Sequence, residues 1–509
     1  MGCGASTTAH APAASFGRVT AGADARSPPE RAGRPAGPSV SAAPAAARTP
    51  PAAAVASSIS SAAAATEGET PEQKATVALA ANPDRLNIRE AFIEALRPIS
   101  PGGDAPMAVI KGSWILQQAK LVRSAQDRGD EKAIRELAIR PRQKMPPEAF
   151  MLPDDVERYS AELDAISRMA AGAMSYCWET KAHPDPACNS LLAMADAIEE
   201  CYRKKRDGDT AYKAFPEEFG ILWDYPCLFQ HLPGERQRNE EENRLFKWAL
   251  SNLDLVYAHK LTTIWRLVDS APSTRPSYAE SGWTTYESAA ARILKVVSWQ
   301  HWSPVITIGE EMETASEHAL NDAGINAADP WKPIRAAMPP PLTITEFRMK
   351  VETLHFTNGS DRSIVADLYE QMLRTALGGA VKLEYRNAQT YGWDDAMVSS
   401  FAESLPLCTR LERLSLVDNP FGSAGLIALV HGLRQSGAPN LVGLHLSWNQ
   451  FGDEGVFALA EALTDGMAPN LRNLDLGLHL RAHTHVAVTA AGESWIREYI
   501  QKERPLVKL

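Results

Sequence analysis

The sequence predicts an α/β protein in which a doubly wound parallel sheet flanked by helices is followed by a short α/β repeat solenoid. Three observations carry this prediction. Short apolar segments alternate with longer helical patterns between residues 156 and 327. A unit of thirty residues recurs near the C-terminus. The first 70 residues consist mainly of Ala, Pro, Ser and Gly, a composition that predicts a disordered tail.

Composition and charge limit the classes of function. The chain has 509 residues and a formal net charge of -10, which disfavours a general nucleic-acid binder. Its six cysteines form no C-x-x-C pair, so we expect reduced, mostly buried thiols. The segments that we expect are a tail (1–70), a helical segment and linker (71–155), an α/β domain (156–327), a linker and capping helix (328–380), repeats (381–480) and a C-terminal segment (481–509).

The first residues fit the pattern for N-myristoylation. Gly2 becomes the N-terminus when the initiator Met is removed, Ser6 stands at the required offset, and Cys3 is a candidate for palmitoylation. Two acyl chains would anchor the protein stably at the cytoplasmic face of a membrane. The residues that follow are rich in Ala, Ser and Arg and poor in acids, which is also typical of a transit peptide. Organelle targeting is therefore the alternative.

Four apolar segments of the α/β domain predict buried parallel strands. Ala173–Trp178 is followed by Glu179, and Phe219–Asp224 itself ends in an acid. A third strand is expected within Leu255–Leu267, and a fourth at Pro304–Ile308. In open α/β sheets the groups that do chemistry collect at the carboxyl ends of the strands. The sequence therefore predicts a functional cleft beside Asp224.

Three short motifs follow these strands in order. Ser175–Trp178 spells S-Y-C-W, Asp224–Gln230 contains D-x-x-C-x-x-Q, and Trp283–Glu287 spells W-T-T-Y-E. Together they resemble the three motifs of the heterokaryon-incompatibility (HET) domain, whose fold is related to that of the TIR domain. The resemblance covers about residues 159 to 310 and implies a flavodoxin-like parallel sheet. The sequence departs from the family pattern at Glu179, Phe229, Ser281 and Tyr286.

The resemblance also implies a chemistry. In NAD-cleaving TIR domains a glutamate at the position of Glu287 is catalytic. The resemblance thus implies Glu287 as the catalytic residue, Trp178 or Trp283 stacking on the nicotinamide ring, and Asp224 shaping the pocket, with NAD as a substrate rather than a resident cofactor. Alternatively, Trp283 is a core residue and Glu287 a surface acid, and the domain docks or self-associates without catalysis. We favour this second interpretation.

The C-terminal region contains an internal repeat. Leu411–Asn419 recurs as Leu441–Asn449, and an Ala-Pro-Asn tripeptide at 438–440 recurs at 468–470. The pattern resembles the long form of the leucine-rich repeat, in which leucines point into the stack and the asparagine bonds the backbone at the bend. A degenerate earlier copy begins near Leu383, and His479 replaces the asparagine after the last strand, Leu471–Leu476.

Strand positions between the leucines form the concave binding face of such a stack. Here they are Arg413, Ser415, Gly443, His445, Asn473 and Asp475. They predict binding of a protein partner, although packing of the repeats on the α/β domain is an equal alternative. Three histidines at 479, 483 and 485 are more typical of unliganded surface than of a metal site. The sequence thus favours a membrane-tethered intracellular signalling or scaffold protein, with an NAD glycohydrolase as the alternative.

Overall fold

The computed structural model describes residues 82–180, 183–232, 234–269, 276–296, 301–309, 339–385, 392–478 and 488–508. The predicted disordered tail, Gly2 and Cys3 lie outside the described residues, as do residues 310–338 and the three histidines at 479, 483 and 485. Within the described ranges, no helix has the length and apolar character needed to cross a bilayer.

The first sheet has five strands in the order β1-β3-β2-β4-β5. They are β1 (Ile110–Lys111), β2 (Ala171–Tyr176), β3 (Gly220–Leu222), β4 (Thr263–Leu267) and β5 (Val305–Ile308). The strands β2 to β5 pair in parallel, which confirms the predicted parallel sheet, whereas β1 pairs antiparallel to β3. Every residue of β2, β3 and β4 is buried, because helices cover both faces of a parallel sheet.

Helices connect these strands. They are α1 (Arg89–Ala95), α2 (Gly112–Asp127), α3 (Glu131–Leu137), α4 (Pro153–Ala161), α5 (Asn189–Arg206), α6 (Asp224–Cys227), α7 (Glu240–Ser251), α8 (Asp254–Tyr257) and α9 (Gly282–Ala290). The acidic residues Glu240, Glu241 and Glu242 form the first turn of α7, where negative charge suits the helix dipole. There Asn239 and Glu242 form a reciprocal capping box, and Glu242 also pairs with Arg236 at 2.6 Å.

Residues 82–155, part of the predicted helical segment and linker, belong to the same core as the sheet. Ile110 of β1 pairs with Ile221 of β3, and the Met151 amide donates to the Val109 carbonyl at 3.0 Å. Phe92 of α1 is fully buried in the same core. A two-residue strand and short apolar helices cannot bury their surfaces alone, so they complete the edge of the sheet.

The second sheet has four parallel strands, as the thirty-residue period predicts. They are β6 (Lys382–Glu384), β7 (Arg413–Ser415), β8 (Gly443–His445) and β9 (Asn473–Asp475). The helices of this region are α10 (Ile344–Thr353), α11 (Asp361–Gly379), α12 (Asp395–Ser404), α13 (Ser423–Ser436), α14 (Asp453–Thr464) and α15 (Ala490–Glu503). The register aligns the buried central leucine of each strand, which confirms the repeat unit.

The repeat asparagines join neighbouring units. The amide group of Asn449 donates to the carbonyls of Leu446 at 2.7 Å and Leu416 at 2.9 Å, so it bonds its own repeat and the preceding one. Asn419 does the same with Leu416 and Tyr385, both at 2.9 Å. Both asparagines are fully buried. The predicted role of these asparagines at the bend is confirmed.

Both ends of the repeat stack are covered. At the first end, the Tyr385 hydroxyl donates to the Ile293 carbonyl at 2.8 Å, and Arg410 pairs with Asp84 at 2.8 Å. At the other end, the Leu474 amide donates to the Lys508 carbonyl at 2.8 Å, so the C-terminal residues add to the edge of β9. The first repeat therefore packs on the α/β domain, and the helix α15 with residues 504–508 closes the stack.

Candidate functional site

The candidate site lies at the carboxyl ends of β2 and β3. The chain passes from β2 to β3 on one side and then returns to β4 on the other side of β2. Such a change of direction leaves a crevice at the carboxyl ends of the central strands, where ligands of open α/β sheets bind. Tyr176 ends β2, and Asp224 follows β3 as the first residue of α6.

The Asp224 carboxylate accepts three hydrogen bonds. They come from the Tyr176 hydroxyl at 2.9 Å, the Trp178 indole N–H at 2.8 Å and the Tyr225 amide at 2.7 Å. Burial raises the pKa of the Asp224 carboxyl, and these hydrogen bonds oppose the rise. Trp178 also packs edge-to-face on Tyr225, with ring centroids 5.5 Å apart. The structure thus brings the predicted pair Trp178 and Asp224 into direct contact.

Glu287 reaches the same strand end from α9. Its carboxylate accepts from the Ser175 hydroxyl at 2.6 Å, and the same hydroxyl lies 2.5 Å from the Tyr278 hydroxyl. Burial and the nearby charge of Asp224 raise the pKa of Glu287 to about 8, against the hydrogen bond from Ser175. No basic side chain in the described ranges forms an ion pair with Glu287. The carboxyl is therefore mostly protonated at neutral pH.

Trp283 does not join this group. Its indole N–H donates to Asp361 of α11 at 3.1 Å. The resemblance implies Trp283 as one of two candidates for stacking on the nicotinamide ring, but the helix α9 that carries it packs against α11. Because a half-buried indole N–H needs an acceptor, Asp361 fixes Trp283 there. Of the predicted ring-stacking residues, only Trp178 stands beside Asp224.

Sequence reasoning missed three side chains of the site. Ser175 was quoted within a motif but given no role, yet it links Glu287 to Tyr278. Tyr257, on α8, donates to the Met174 carbonyl at 3.2 Å. Burial raises the pKa of Tyr257, and the charges of Glu287 and Asp224 raise it further. Tyr257 and Tyr278 lie outside the three motifs, and a buried tyrosine gives no signal of its own in the sequence.

The predicted partner-binding residues lie side by side on the second sheet. Ser415, His445 and Asp475 share one row of the strand register, and Arg413 and Asn473 lie in the neighbouring row on either side of Gly443. Arg413 and Asn473 are exposed, and the others are partly exposed. Asp475 accepts from the Ser447 hydroxyl at 2.8 Å. The structure brings these residues together as one surface.

Comparison with known families supports the assignment of the repeats. The leucine-rich repeat family model matches residues 407–430 and 437–460. These segments are leucine-rich repeats. They contain β7 and β8 and most of the helix that follows each strand. No TIR or HET domain was found by the same comparison. No curated protein is significantly similar to the chain.

Proposed function

We propose that this chain is an intracellular signalling or scaffold protein whose leucine-rich repeats bind a protein partner through the strand face. Leucine-rich repeats generally mediate protein–protein interaction. One observation carries the proposal for this chain. The stack is covered at both of its ends, while the two rows of polar residues on its strands stay exposed or partly exposed.

The chemistry of these rows indicates a polar partner of mixed charge. One row begins with the basic residues Lys382 and Arg413, and the other has the acids Glu384 and Asp475 at its two ends. Lys382 and Glu384 form an ion pair at 2.7 Å. Charges in such an arrangement steer a partner and fix its register more than they add affinity.

Site-specific crosslinking tests the strand face. We expect a photoreactive residue in place of Ser415 to crosslink to a discrete partner in cells, and the product to disappear in an Arg413→Glu, Asp475→Arg variant. The same probe in place of Leu121, which is exposed on α2, is the matched control. Equal crosslinking at both positions, or a product that survives the charge reversals, would contradict binding at this face.

For the α/β domain we infer a TIR/HET-like, flavodoxin-like fold. The order β3-β2-β4-β5 is the order of the first four strands in flavodoxin-like sheets, where the chain also switches direction beside its first strand. The three motif segments all contribute to the end of β2 through Trp178, Asp224 and Glu287. These features support the inference but do not by themselves imply an activity.

A second candidate function is hydrolysis of NAD, favoured by the pairing of a raised-pKa carboxyl with Asp224 and Trp178. In this reaction the bond between the nicotinamide nitrogen and the ribose C1′ breaks. Nicotinamide leaves as a neutral molecule with the bonding electrons, and water adds to C1′ and loses a proton. An ionised Glu287 would stabilise the ribosyl cation. A cationic nicotinamide ring beside Glu287 would favour that ionised form.

Consumption of NAD by concentrated purified protein tests this candidate. We expect kcat/KM to rise as the pH increases through about 8, because the ionised Glu287 is the active form. Glu287→Gln should abolish the reaction, whereas Glu403→Gln, an exposed acid on α12, should not change it. Absence of turnover in the wild type, or equal turnover in Glu287→Gln, would reject hydrolysis of NAD at Glu287 and leave the scaffold function as the proposal.

Acylation of Gly2 and Cys3 remains our proposal for localisation at the cytoplasmic face of a membrane. Tethering would raise the local concentration of the chain and favour weak self-association. We expect Gly2→Ala and Cys3→Ser each to shift the protein from the membrane fraction to the supernatant. Equal membrane recovery of both variants and the wild type would reject the anchor and favour the transit peptide.

A further inference from the structure

A row of exposed apolar side chains runs across the outer helices of the repeat stack. Met397, Ile427 and Phe457 stand thirty residues apart on α12, α13 and α14, and their exposed fractions are 38%, 37% and 42%. Trp495 on α15 continues the row with an exposed fraction of 41%. We call these four residues the outer ridge. The inward faces of the same helices supply the buried core, and the ridge side chains lie outside that core.

The ridge is continuous at its C-terminal end. The rings of Phe457 and Trp495 meet edge-to-face with centroids 4.6 Å apart, and Trp495 stacks on Tyr499 at 5.2 Å. Neighbouring packed helices lie about 8–10 Å apart, so three such spacings give the ridge a length of about 27 Å. A helix of about 18 residues has this length at a rise of about 1.5 Å per residue.

Acidic side chains border the ridge. Glu454 and Glu461 lie three residues before and four after Phe457 on α14, so they share its face of the helix. Both residues are exposed, and neither carboxylate forms a hydrogen bond or ion pair within the described ranges. The basic residues of α13 and α15 are already neutralised by acids: Arg434 pairs with Asp465 at 2.5 Å, Arg497 with Glu493 at 2.9 Å and Lys502 with Glu503 at 3.0 Å.

We propose that the outer ridge binds an amphipathic helix of a partner protein, in which an apolar stripe is flanked by lysine or arginine residues. The apolar stripe would cover the ridge, and the basic residues would face Glu454 and Glu461. A second copy of this chain is a poor occupant, because it would bring two acidic faces together. An anionic membrane is a poor occupant for the same reason. This surface is separate from the strand face, which lies on the opposite side of the stack.

A model peptide tests the proposal with the full chain. The probe is a fluorescein-labelled helical peptide of 18 residues that contains only Leu and Lys, with Leu along one stripe, and binding is followed by fluorescence anisotropy. We expect saturable binding that weakens as salt is added, because exposed charges are screened. A peptide with Glu in place of every Lys is the matched control and should not bind.

Variants of the outer ridge test whether the peptide binds there. Phe457→Ser combined with Trp495→Ser should weaken binding by about tenfold or more. Glu454→Gln combined with Glu461→Gln should weaken it and reduce its dependence on salt, and these surface changes keep the test valid if the aromatic variant misfolds. Leu152→Ser removes an apolar side chain that is 64% exposed elsewhere and should leave binding unchanged.

Four outcomes would overturn the proposal. The first is unchanged peptide binding in both ridge variants, and the second is equal affinity for the Glu-containing peptide. The third is a dimer in light scattering that the Phe457→Ser, Trp495→Ser variant abolishes, which would assign the ridge to a second copy. The fourth is ridge-dependent binding to vesicles of phosphatidylserine, which would assign it to a membrane.

Discussion

Replacing Glu287 by Gln should make the stability of the α/β domain less dependent on pH. Folding raises the pKa of Glu287 from 4.5 to about 8. Between these values the native chain holds a proton that the unfolded chain releases. The native state therefore loses stability as the pH rises through this window, whereas below pH 4.5 both states are protonated and the contribution is fully present. Glutamine mimics the neutral acid and removes this loss.

The magnitude follows from the two pKa values. A change of one pKa unit corresponds to about 1.4 kcal/mol, so the full shift sets an upper limit of about 5 kcal/mol. Because the side chain is partly exposed, solvent screens part of this energy, and we expect about 2–3 kcal/mol. Glu287→Gln should exceed the wild type in free energy of unfolding by this amount at pH 8.5 and by almost nothing at pH 4.5.

Urea unfolding followed by tryptophan fluorescence measures this difference. Eight of the twelve tryptophans lie between Trp178 and Trp331, so the signal reports mainly on the α/β domain. Glu403→Gln, which changes an exposed acid of α12, is the control and should track the wild type at every pH. An equal offset between Glu287→Gln and the wild type at pH 4.5 and 8.5 would show that the carboxyl is ionised in the native state, and the reasoning would fail.

Three further substitutions probe the fold by thermal melting followed by circular dichroism. Leu444→Asp buries an unpaired carboxylate and should unfold the repeats, whereas the exposed Ile427→Asp should melt close to the wild type. Asn449→Ala leaves the Leu446 carbonyl and the backbone N–H of Asn419 without their partner and should cost about 2–4 kcal/mol; a wild-type melting temperature would contradict the role of Asn449 as a connector. Gly172→Ala should destabilise the first sheet, because a Cβ there would overlap the Thr263 carbonyl oxygen; an unchanged melt would mean that β2 and β4 can separate at no cost.

Elements with a strong local pattern could be predicted from the sequence. The central leucines of the repeats lie in strands. The predicted segments Ala173–Trp178 and Phe219–Asp224 contain the ends of β2 and β3, because burial on both faces of a strand leaves a continuous apolar segment in the sequence. The strand β1 has only two residues and therefore no periodicity. Its position depends on pairing with Ile221, more than a hundred residues away along the chain.

Part of the candidate site could likewise be predicted from local sequence motifs. The motifs that resemble the HET domain predict Trp178, Asp224 and Glu287 for one cleft, and the structure brings these side chains to the same strand end. Trp283 belongs to the same motif as Glu287, but its orientation depends on the hydrogen bond to Asp361, which is 78 residues away in the sequence. A tertiary contact of this kind leaves no trace in a local motif.

The asparagine connectors have a consequence for how the repeat array can evolve. The backbone N–H of Asn419 donates to the side-chain oxygen of Asn449. The side-chain oxygen of Asn419 accepts in the same way from the backbone N–H of Trp393. The units that carry Asn419 and Asn449 thus each accept a backbone N–H of the preceding unit, whereas the last unit has His479 in place of the asparagine. A duplicated unit finds matching neighbours on both sides, so the array can lengthen by gene duplication. Tyr385 and Lys508, in contrast, make the contacts that close the two ends of the stack, so a duplicated unit would fit between them.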